Sequence, residues 1–302
     1  MQTLQTLKRK IGSAEDLRSV VKTMKAIAAV NIRQYEDTVE SLAEYRRTLE
    51  LGFQIAMHRR PEGVEVGIGP PGGREGIIAF GSEQGLCGQF NDTIERFVID
   101  RIGDGGRPPS REEVALAVVG DRLIARMEAA EIPVERTFRI PGSMAGVRDV
   151  VADTLILIES WREQSGVGTV DLLYNRPQSG STYEPCASRV FPIDTAWLRE
   201  LEARPWGERT IPIHTMSWDR LFKSLVREEI AVSLHRAFSE SLAAENASRL
   251  ASMQAAERNI EEHLDELEYR YNQQRQRSTT EEILDIIGGF EALRGQGEAA
   301  RA

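Results

Sequence analysis

Residues 217–287 read SWDRLFKSLVREEIAVSLHRAFSESLAAENASRLASMQAAERNIEEHLDELEYRYNQQRQRSTTEEILDII, without one proline or glycine. The two strongest helix breakers are absent, so the stretch predicts a single continuous helix, on the order of 100 Å long at about 1.5 Å per residue. Leu250, Met253, Ile260, Leu264, Leu267 and Tyr271 keep heptad register, with Glu257 interrupting it. A seam of that period faces a partner helix continuously. The upper part of the same segment is Ala-rich (Ala243, Ala244, Ala247, Ala251, Ala255 and Ala256), and such small side chains permit close helix approach.

The partner is at the other end of the chain. The first fifty residues hold no proline and one glycine, Gly12. Within them Leu17, Val21, Met24, Ala28, Asn31, Tyr35, Thr38, Leu42, Tyr45 and Leu49 follow alternating steps of four and three. Ser13 and Asp16 have the spacing of a capping box, which predicts a break or restart near Gly12. Two long helices at opposite termini with complementary seams predict an antiparallel coiled coil, and whatever lies between them in sequence is an insertion in a hairpin.

The insertion has a different texture. After His58-Arg59-Arg60-Pro61, a Gly/Pro-rich stretch to Gly76 reads as a linker. Ile77–Phe80 then reads as a buried strand, and Asp92 with Glu95 boxes a helix that runs through Ile102. A strand at 114–119, helices at 121–131 and 147–164, and paired strands at 169–174 and 188–193 follow. Strands alternating with helices through short connections predict a small α/β sandwich with a largely parallel sheet. The expected divisions are 1–57 for the N-terminal coiled-coil helix, 76–212 for the α/β domain, 213–293 for the C-terminal helix and 294–302 for a disordered tail.

Composition excludes several classes. A formal charge of −9 and a pI near 5.2 argue against nucleic acid as a partner. No apolar run approaches the roughly 20 residues of a membrane span, and the start, MQTLQTLKRK, has no apolar signal core. The expected location is the cytosol, unless a partner tethers the chain to a membrane. Cys87 and Cys186 form no CxxC pair and read as free thiols of a reduced compartment. His58, His214, His235 and His263 share no metal-ligand spacing.

Two places invite a chemical reading. The loop Gly81-Ser82-Glu83-Gln84-Gly85-Leu86-Cys87-Gly88 follows a strand and precedes a helix, where nucleotide folds bind phosphate. Its spacing is G-x-x-x-G-x-x-G rather than GxGxxG, Glu83 would repel a phosphate, and the chain has no P-loop. A structural tight turn is the better reading. Cys87 at that turn has the position of an activated nucleophile, against the plainer reading of a small buried thiol. The second place is a polar girdle. From Asn272 to Glu282 no apolar residue occurs, and Ile283, Ile286, Ile287, Phe290 and Leu293 follow as an apolar tip. Exposed Arg, Gln and Thr would make directional hydrogen bonds to a surrounding collar, and the tip would seat in an apolar sleeve. Gly288-Gly289 reads as a cap or a loosening of the helix before Phe290.

Three blocks resemble those of the γ subunits of F-type ATP synthases. The first is Val21-Lys22-Thr23-Met24-Lys25-Ala26-Ile27-Ala28-Ala29-Val30-Asn31-Ile32-Arg33, the second Gly85-Leu86-Cys87-Gly88-Gln89-Phe90-Asn91. The third runs from Glu245 to Ala256, with Tyr271-Asn272-Gln273-Gln274-Arg275-Gln276, Thr280, Glu282 and Ile283 beyond it. The resemblance implies an α/β fold in which a long antiparallel coiled coil of the N- and C-terminal helices carries an inserted small Rossmann-like α/β domain. It implies a rotor without catalysis, cofactor or nucleotide site, turning inside a ring of α and β subunits, its foot against the ε subunit and the membrane c-ring. Carried over by position, Arg249, Arg275, Gln276, Thr280 and Glu282 would be polar contacts to the catalytic ring, and Lys22 and Met24 would lie where the rotor meets a β subunit. Gln89-Phe90, Ser82-Glu83-Gln84, Val30-Asn31 and the extension from Arg294 depart from the family pattern and look like the alternate, N-type bacterial F-ATPases. The rival readings are a small nucleotide- or redox-dependent α/β enzyme with helical oligomerisation arms, and a coiled-coil scaffold that dimerises through both arms.

Overall fold

The computed structural model describes residues 3–64, 66, 73–103, 113–141, 144–178, 182–207, 212 and 215–299; the side chains of 144, 145 and 289–299 fall outside that description. In chain order the elements are α1 (Leu4–His58), β1 (Arg74–Phe80), α2 (Phe90–Ile102), β2 (Val114–Val119), α3 (Asp121–Ala129), β3 (Arg136–Phe138), α4 (Met144–Gln164), β4 (Val167–Pro177), β5 (Tyr183–Phe191), α5 (Thr195–Ala203) and α6 (Trp218–Ala299). They form two compact units, one of Met1–Ala26 with Met253–Ala302, the other Ile27–Ser252.

The larger unit is built on a five-stranded sheet in the order β3-β2-β1-β4-β5. β1 pairs in parallel with β2 and β4, β2 in parallel with β3, and only β5 runs antiparallel, against β4. The side-chain period of two divides the sheet between two cores. Ile77 and Ala79 of β1 and Leu116 and Val118 of β2 face Ile94, Val98, Leu123 and Met127 of α2 and α3. Ile78, Phe80, Ala117 and Val119 face the opposite way, toward Val151, Ile158 and Trp161 of α4 and Leu234, Ala237 and Phe238 of α6. Phe238 meets Phe80 edge-on with centroids 4.7 Å apart, a favoured aromatic geometry. A further cluster joins Leu49, Phe53 and Met57 of α1 to Leu198 and Leu201 of α5 and Val232 of α6.

In this unit α1 and α6 run antiparallel: Asn31 meets Asn246, Tyr45 donates to Glu228, and Arg46 pairs with Glu229. The helices do more than form a two-helix seam. From Ala237 to Arg249 every residue of α6 is buried, the condition of a helix packed all round rather than on one stripe.

In the smaller unit Leu7, Ala14 and Val21, seven residues apart, are buried on α1, and Met253, Leu264 and Leu267 are buried on α6. Glu257, the residue that breaks the heptad of α6, forms ion pairs with Lys25 and, at 4.0 Å, with Lys22. Counting from Lys25 and Glu257 along antiparallel helices, residue 4 of α1 falls level with residue 278 of α6. Among the described residues α1 does not reach past that level, and Ile283, Leu284, Ile286 and Ile287 are exposed.

Several expectations are corrected. The helix α1 starts at Leu4 and passes Gly12 unbroken; the Thr3 hydroxyl accepts the Thr6 N–H in the first turn, and the glycine's cost of about 1 kcal/mol is borne by the rest of a 55-residue helix. Its seam is also phased differently at two points: Leu17 and Tyr45 are exposed, and Arg18 and Arg46 take the half-buried positions. Asp92 and Glu95 do not box α2, which begins at Phe90; both carboxylates pair with Arg126 of α3. The strand β3 and helix α5, absent from the sequence reading, are short, three and nine residues. The helix α6 runs through Gly288-Gly289 to Ala299, where a tail from 294 was expected; Ala292, Leu293, Arg294, Gln296 and Glu298 are good helix formers. Residues 300–302, positions 65 and 67–72 of the Gly/Pro-rich linker, and 208–211 lie outside the described residues.

Candidate functional site

The sheet order reverses at β1, which lies between β2 and β4, so the loop after β1 sits at a topological switch point, where open α/β sheets bind ligands. The structure fills that place with protein. Gly81 is required by close approach, since a Cβ there would come within 2.2 Å of the Leu123 Cβ. Glu83 turns its carboxylate to the start of α3, where Oε2 accepts the Asp121 N–H at 3.3 Å and the Ile140 N–H at 3.0 Å. A helix N-terminus favours an anion, and here the anion is a side chain of the chain itself. Ser82 and Asn91 lock the turn by reciprocal bonds: the Ser82 N–H donates to Asn91 Oδ1, and Asn91 Nδ2 donates to the Ser82 hydroxyl. Gly88 has φ +57°, and a side chain there would also crowd Ser252 and Ser248.

The helix α6 closes over this turn. The Ser248 hydroxyl donates to the Cys87 carbonyl at 2.6 Å, and Arg249 Nη2 donates to the carbonyls of Gln84 and Gly85 at 3.2 and 3.4 Å. Arg249 also pairs with Glu245 at 2.5 Å, with side chains 10% and 6% exposed. The nucleotide reading therefore meets a switch point occupied by Glu83 and lidded by α6. Cys87 is buried, and burial pushes its thiol above the ordinary range; a nucleophilic cysteine needs the reverse. Among the described residues no group of three or more His, Cys, Asp or Glu side chains is arranged to hold a metal.

The residues assigned to partner contact separate into two groups. Arg249 lies inside the larger unit, and its guanidinium is engaged by Glu245 and the turn, so the expectation of an exposed contact does not describe it. The sequence signal that could have found this is the Ser-Glu-Ser…Glu-Asn-Ala-Ser-Arg run itself, in which Glu245 and Arg249 stand four residues apart, the spacing of a helical ion pair. The others lie in the smaller unit. Lys22 is exposed and Met24 half-buried on α1. Lys25, which the sequence reading did not single out, holds the Glu257 carboxyl below the ordinary carboxylate range, with Lys22 and Arg18 adding to the effect. Arg275, Gln276, Thr280 and Glu282 are all exposed on α6. The Thr279 and Thr280 hydroxyls donate to the carbonyls of Arg275 and Gln276 one turn back. The heptad continues through this band as half-buried Gln274 and Ser278, polar residues in seam positions just where α6 outruns α1. The result is a single helix end with an exposed polar band followed by an exposed apolar one.

A family model described as ATP synthase matches residues 3–293. The ATP synthase gamma chain of Anaeromyxobacter dehalogenans strain 2CP-C is 28% identical over 298 residues, covering 97% of this chain and all of the relative. That of Bacteroides fragilis strain ATCC 25285 is 25% identical over 290 residues, covering 96% and 99%. Among solved structures, a chain of the mitochondrial ATP synthase of Euglena gracilis superposes with a TM-score of 0.65 at 16% identity, over 96% of this chain and 94% of that one. A chain of the rotor of the same enzyme gives 0.60 at 15% identity, over 91% and 98%. At these identities the structural likeness bears on the fold.

Proposed function

The chain belongs to the ATP synthase gamma-chain family, and on that premise we propose that the end of α6 is the surface through which rotation is coupled to catalysis. As a member of that family the chain is a non-catalytic rotor subunit of the central stalk. The proposed partners are a ring of α and β subunits around the helix end, with the ε subunit and the membrane c-ring against the α/β domain. The observation that carries the reading is the helix that outruns its partner: past residue 278 α6 presents polar side chains, then Ile283, Leu284, Ile286 and Ile287 at 49–71% exposure. Exposed apolar residues grouped this way mark a surface that a partner covers.

A rotor couples by making different contacts in each orientation, so that each catalytic subunit is biased toward a different nucleotide affinity. Arg275, Gln276 and Glu282 can supply such contacts, because charge-assisted hydrogen bonds are directional and each contributes about 1.5–3 kcal/mol. Lys22 and Met24 add a second surface on α1. Arg249 acts inside the chain, fixing α6 to the turn after β1. The coupled ion is a proton or sodium, a choice that belongs to the membrane ring. The subunit is peripheral to the membrane: no helix among the described residues is long and apolar enough to cross one, and we place it on the cytoplasmic face of a bacterial plasma membrane. Assignment to the alternate, N-type F-ATPases rests on the departures at Ser82-Glu83-Gln84, Gln89-Phe90 and Val30-Asn31. The working divisions of the chain are the two coiled-coil helices at 1–57 and 213–293 with the α/β domain at 76–212 between them.

The test is Arg275→Ala with Gln276→Ala in the complete complex, reconstituted into vesicles. ATP hydrolysis and ion pumping are measured together. Pumping per ATP hydrolysed should fall while the complex stays assembled; an unchanged ratio would remove the coupling role from this band.

A further inference from the structure

Past Leu242 the surface of α6 changes character. From Ala243 to Arg249 its only apolar side chains are those of Ala243, Ala244 and Ala247, all buried. Methyl groups form almost no ridge, so ridge-and-groove packing gives this stretch little hold against turning about its own axis. Apolar burial is non-directional and resists separation rather than rotation. A hydrogen bond weakens steeply once it is bent off line, so the angle of α6 here is set by its polar contacts.

Three such bonds converge on the turn after β1. The Ser248 hydroxyl donates to the Cys87 carbonyl, and Arg249 Nη2 donates to the carbonyls of Gln84 and Gly85. Both side chains are buried, so little water competes for their donors. Gly88 sits against the same stretch: a Cβ there would lie 3.0 Å from the Ser252 hydroxyl oxygen and 3.4 Å from that of Ser248. The backbone of the turn therefore rests in a notch between two side chains one helical turn apart. The turn is itself held from behind, tied to α2 by Asn91 and to the start of α3 by Glu83. Asn31 of α1 donates to Asn246 at 3.3 Å, which ties α1 to α6 at the same level. These contacts occupy the last turns of α6 in the larger unit, which ends at Ser252.

On the rotor reading, on which this inference rests, we propose that torque passes between the α/β domain and α6 through this junction, with Ser248 and Arg249 as the positioning residues. Leu234, Ala237 and Phe238 keep α6 on the sheet by apolar packing; the three bonds keep it from turning there. A twist arriving along α6 from beyond Ser252 meets the notch and these bonds before it meets the sheet.

The test uses the complete complex, with the catalytic ring fixed to a surface and a bead attached through a cysteine replacing exposed Glu62, a residue of the larger unit. Without ATP the bead fluctuates about one angle, and the variance of that angle measures torsional compliance. Compliances in series add, so the share of the helix beyond the junction is common to every variant. Ser248→Ala removes one bond of the three. Glu245→Gln with Arg249→Met removes the other two and leaves no unpaired buried charge. With compliance inverse to the number of bonds left, Ser248→Ala should raise the variance, and the double variant should add about four times as much. Ile230→Val trims one methyl group from the buried face of α6 and should leave the variance unchanged. With ATP all these complexes should still turn. If the double variant does not assemble, the comparison of Ser248→Ala with Ile230→Val decides alone. Turning beads with an unchanged variance in Ser248→Ala, or with an equal rise in Ile230→Val, would overturn the proposal and leave the rotor reading standing. Parent complexes that hydrolyse ATP without turning would overturn the rotor reading and the proposal together.

Discussion

Asp171 stands on β4 with 3% of its surface exposed, and two arginines converge on it. Arg189, its cross-strand neighbour, gives it two bonds at 2.9 and 3.0 Å, and Arg101 a third at 3.0 Å. Burial alone would raise the carboxyl; the two guanidinium groups outweigh burial and hold it below its ordinary 3.8. A depressed folded value means that the unfolded chain binds the proton more tightly. The pair therefore stabilises the fold above about pH 4, and the contribution is lost as pH falls through the folded value. Asp171→Asn should cost about 1–3 kcal/mol in urea unfolding at pH 7 and should flatten the fall in stability below pH 4. An acid limb as steep as the parent's would show that the carboxylate is not paired in solution. Arg249 presents the opposite hazard. Burial already raises the Glu245 carboxyl and Arg249 opposes that rise; removing the guanidinium leaves a buried carboxyl without its partner, so Arg249→Met should cost about 3–5 kcal/mol, and the double variant with Glu245→Gln should recover part of that. Equal losses in the single and double variants would mean that the two side chains are not coupled.

The helix α3 shows how an element can take over a site. It starts at the switch point with Gly120 at its N-cap and no side-chain cap from that residue; Glu83, from the preceding βα turn, does the capping. Glu83→Ala should lower stability by about 1–2 kcal/mol, read as a drop in the unfolding midpoint, and a neutral result would mean that water caps α3 equally well. From sequence, Glu83 was legible as a residue hostile to phosphate, though not as the anion in phosphate's place, because its acceptors' partners come from 38 and 57 residues away. The long helices were legible for a simpler reason: proline and glycine are absent over many turns, and no tertiary contact is needed to read that. The phase of α1 was less so. Apolar residues at Leu17, Val20, Ile27 and Val30 are exposed at 55–67%, so the hydrophobic pattern of α1 carries two faces, and a heptad drawn through Leu17 selects the wrong one at that point. Arg249 was misplaced because helical arginines are usually solvated, whereas this stretch of α6 is enclosed all round.

At the level of the whole molecule, the chain divides its tasks between two compact units. The larger has an α/β sheet whose ligand position is filled by its own side chains, and the smaller ends in one helix with polar and then apolar exposure. Calorimetry of the full chain against Mg-ATP and against NADH should give no saturable heat corresponding to a dissociation constant below about 100 µM; such binding would restore the reading of a nucleotide-dependent enzyme. The exposed helix end is a surface that a partner covers, as a rotor within a ring of subunits requires. The most direct test of the rotor assignment is single-molecule rotation. With the catalytic ring fixed to a surface and a bead attached through a cysteine replacing exposed Glu62, ATP should drive stepwise turning in one direction, three steps per revolution for a ring of three catalytic sites. A bead that stays still while the same complexes hydrolyse ATP would contradict the account.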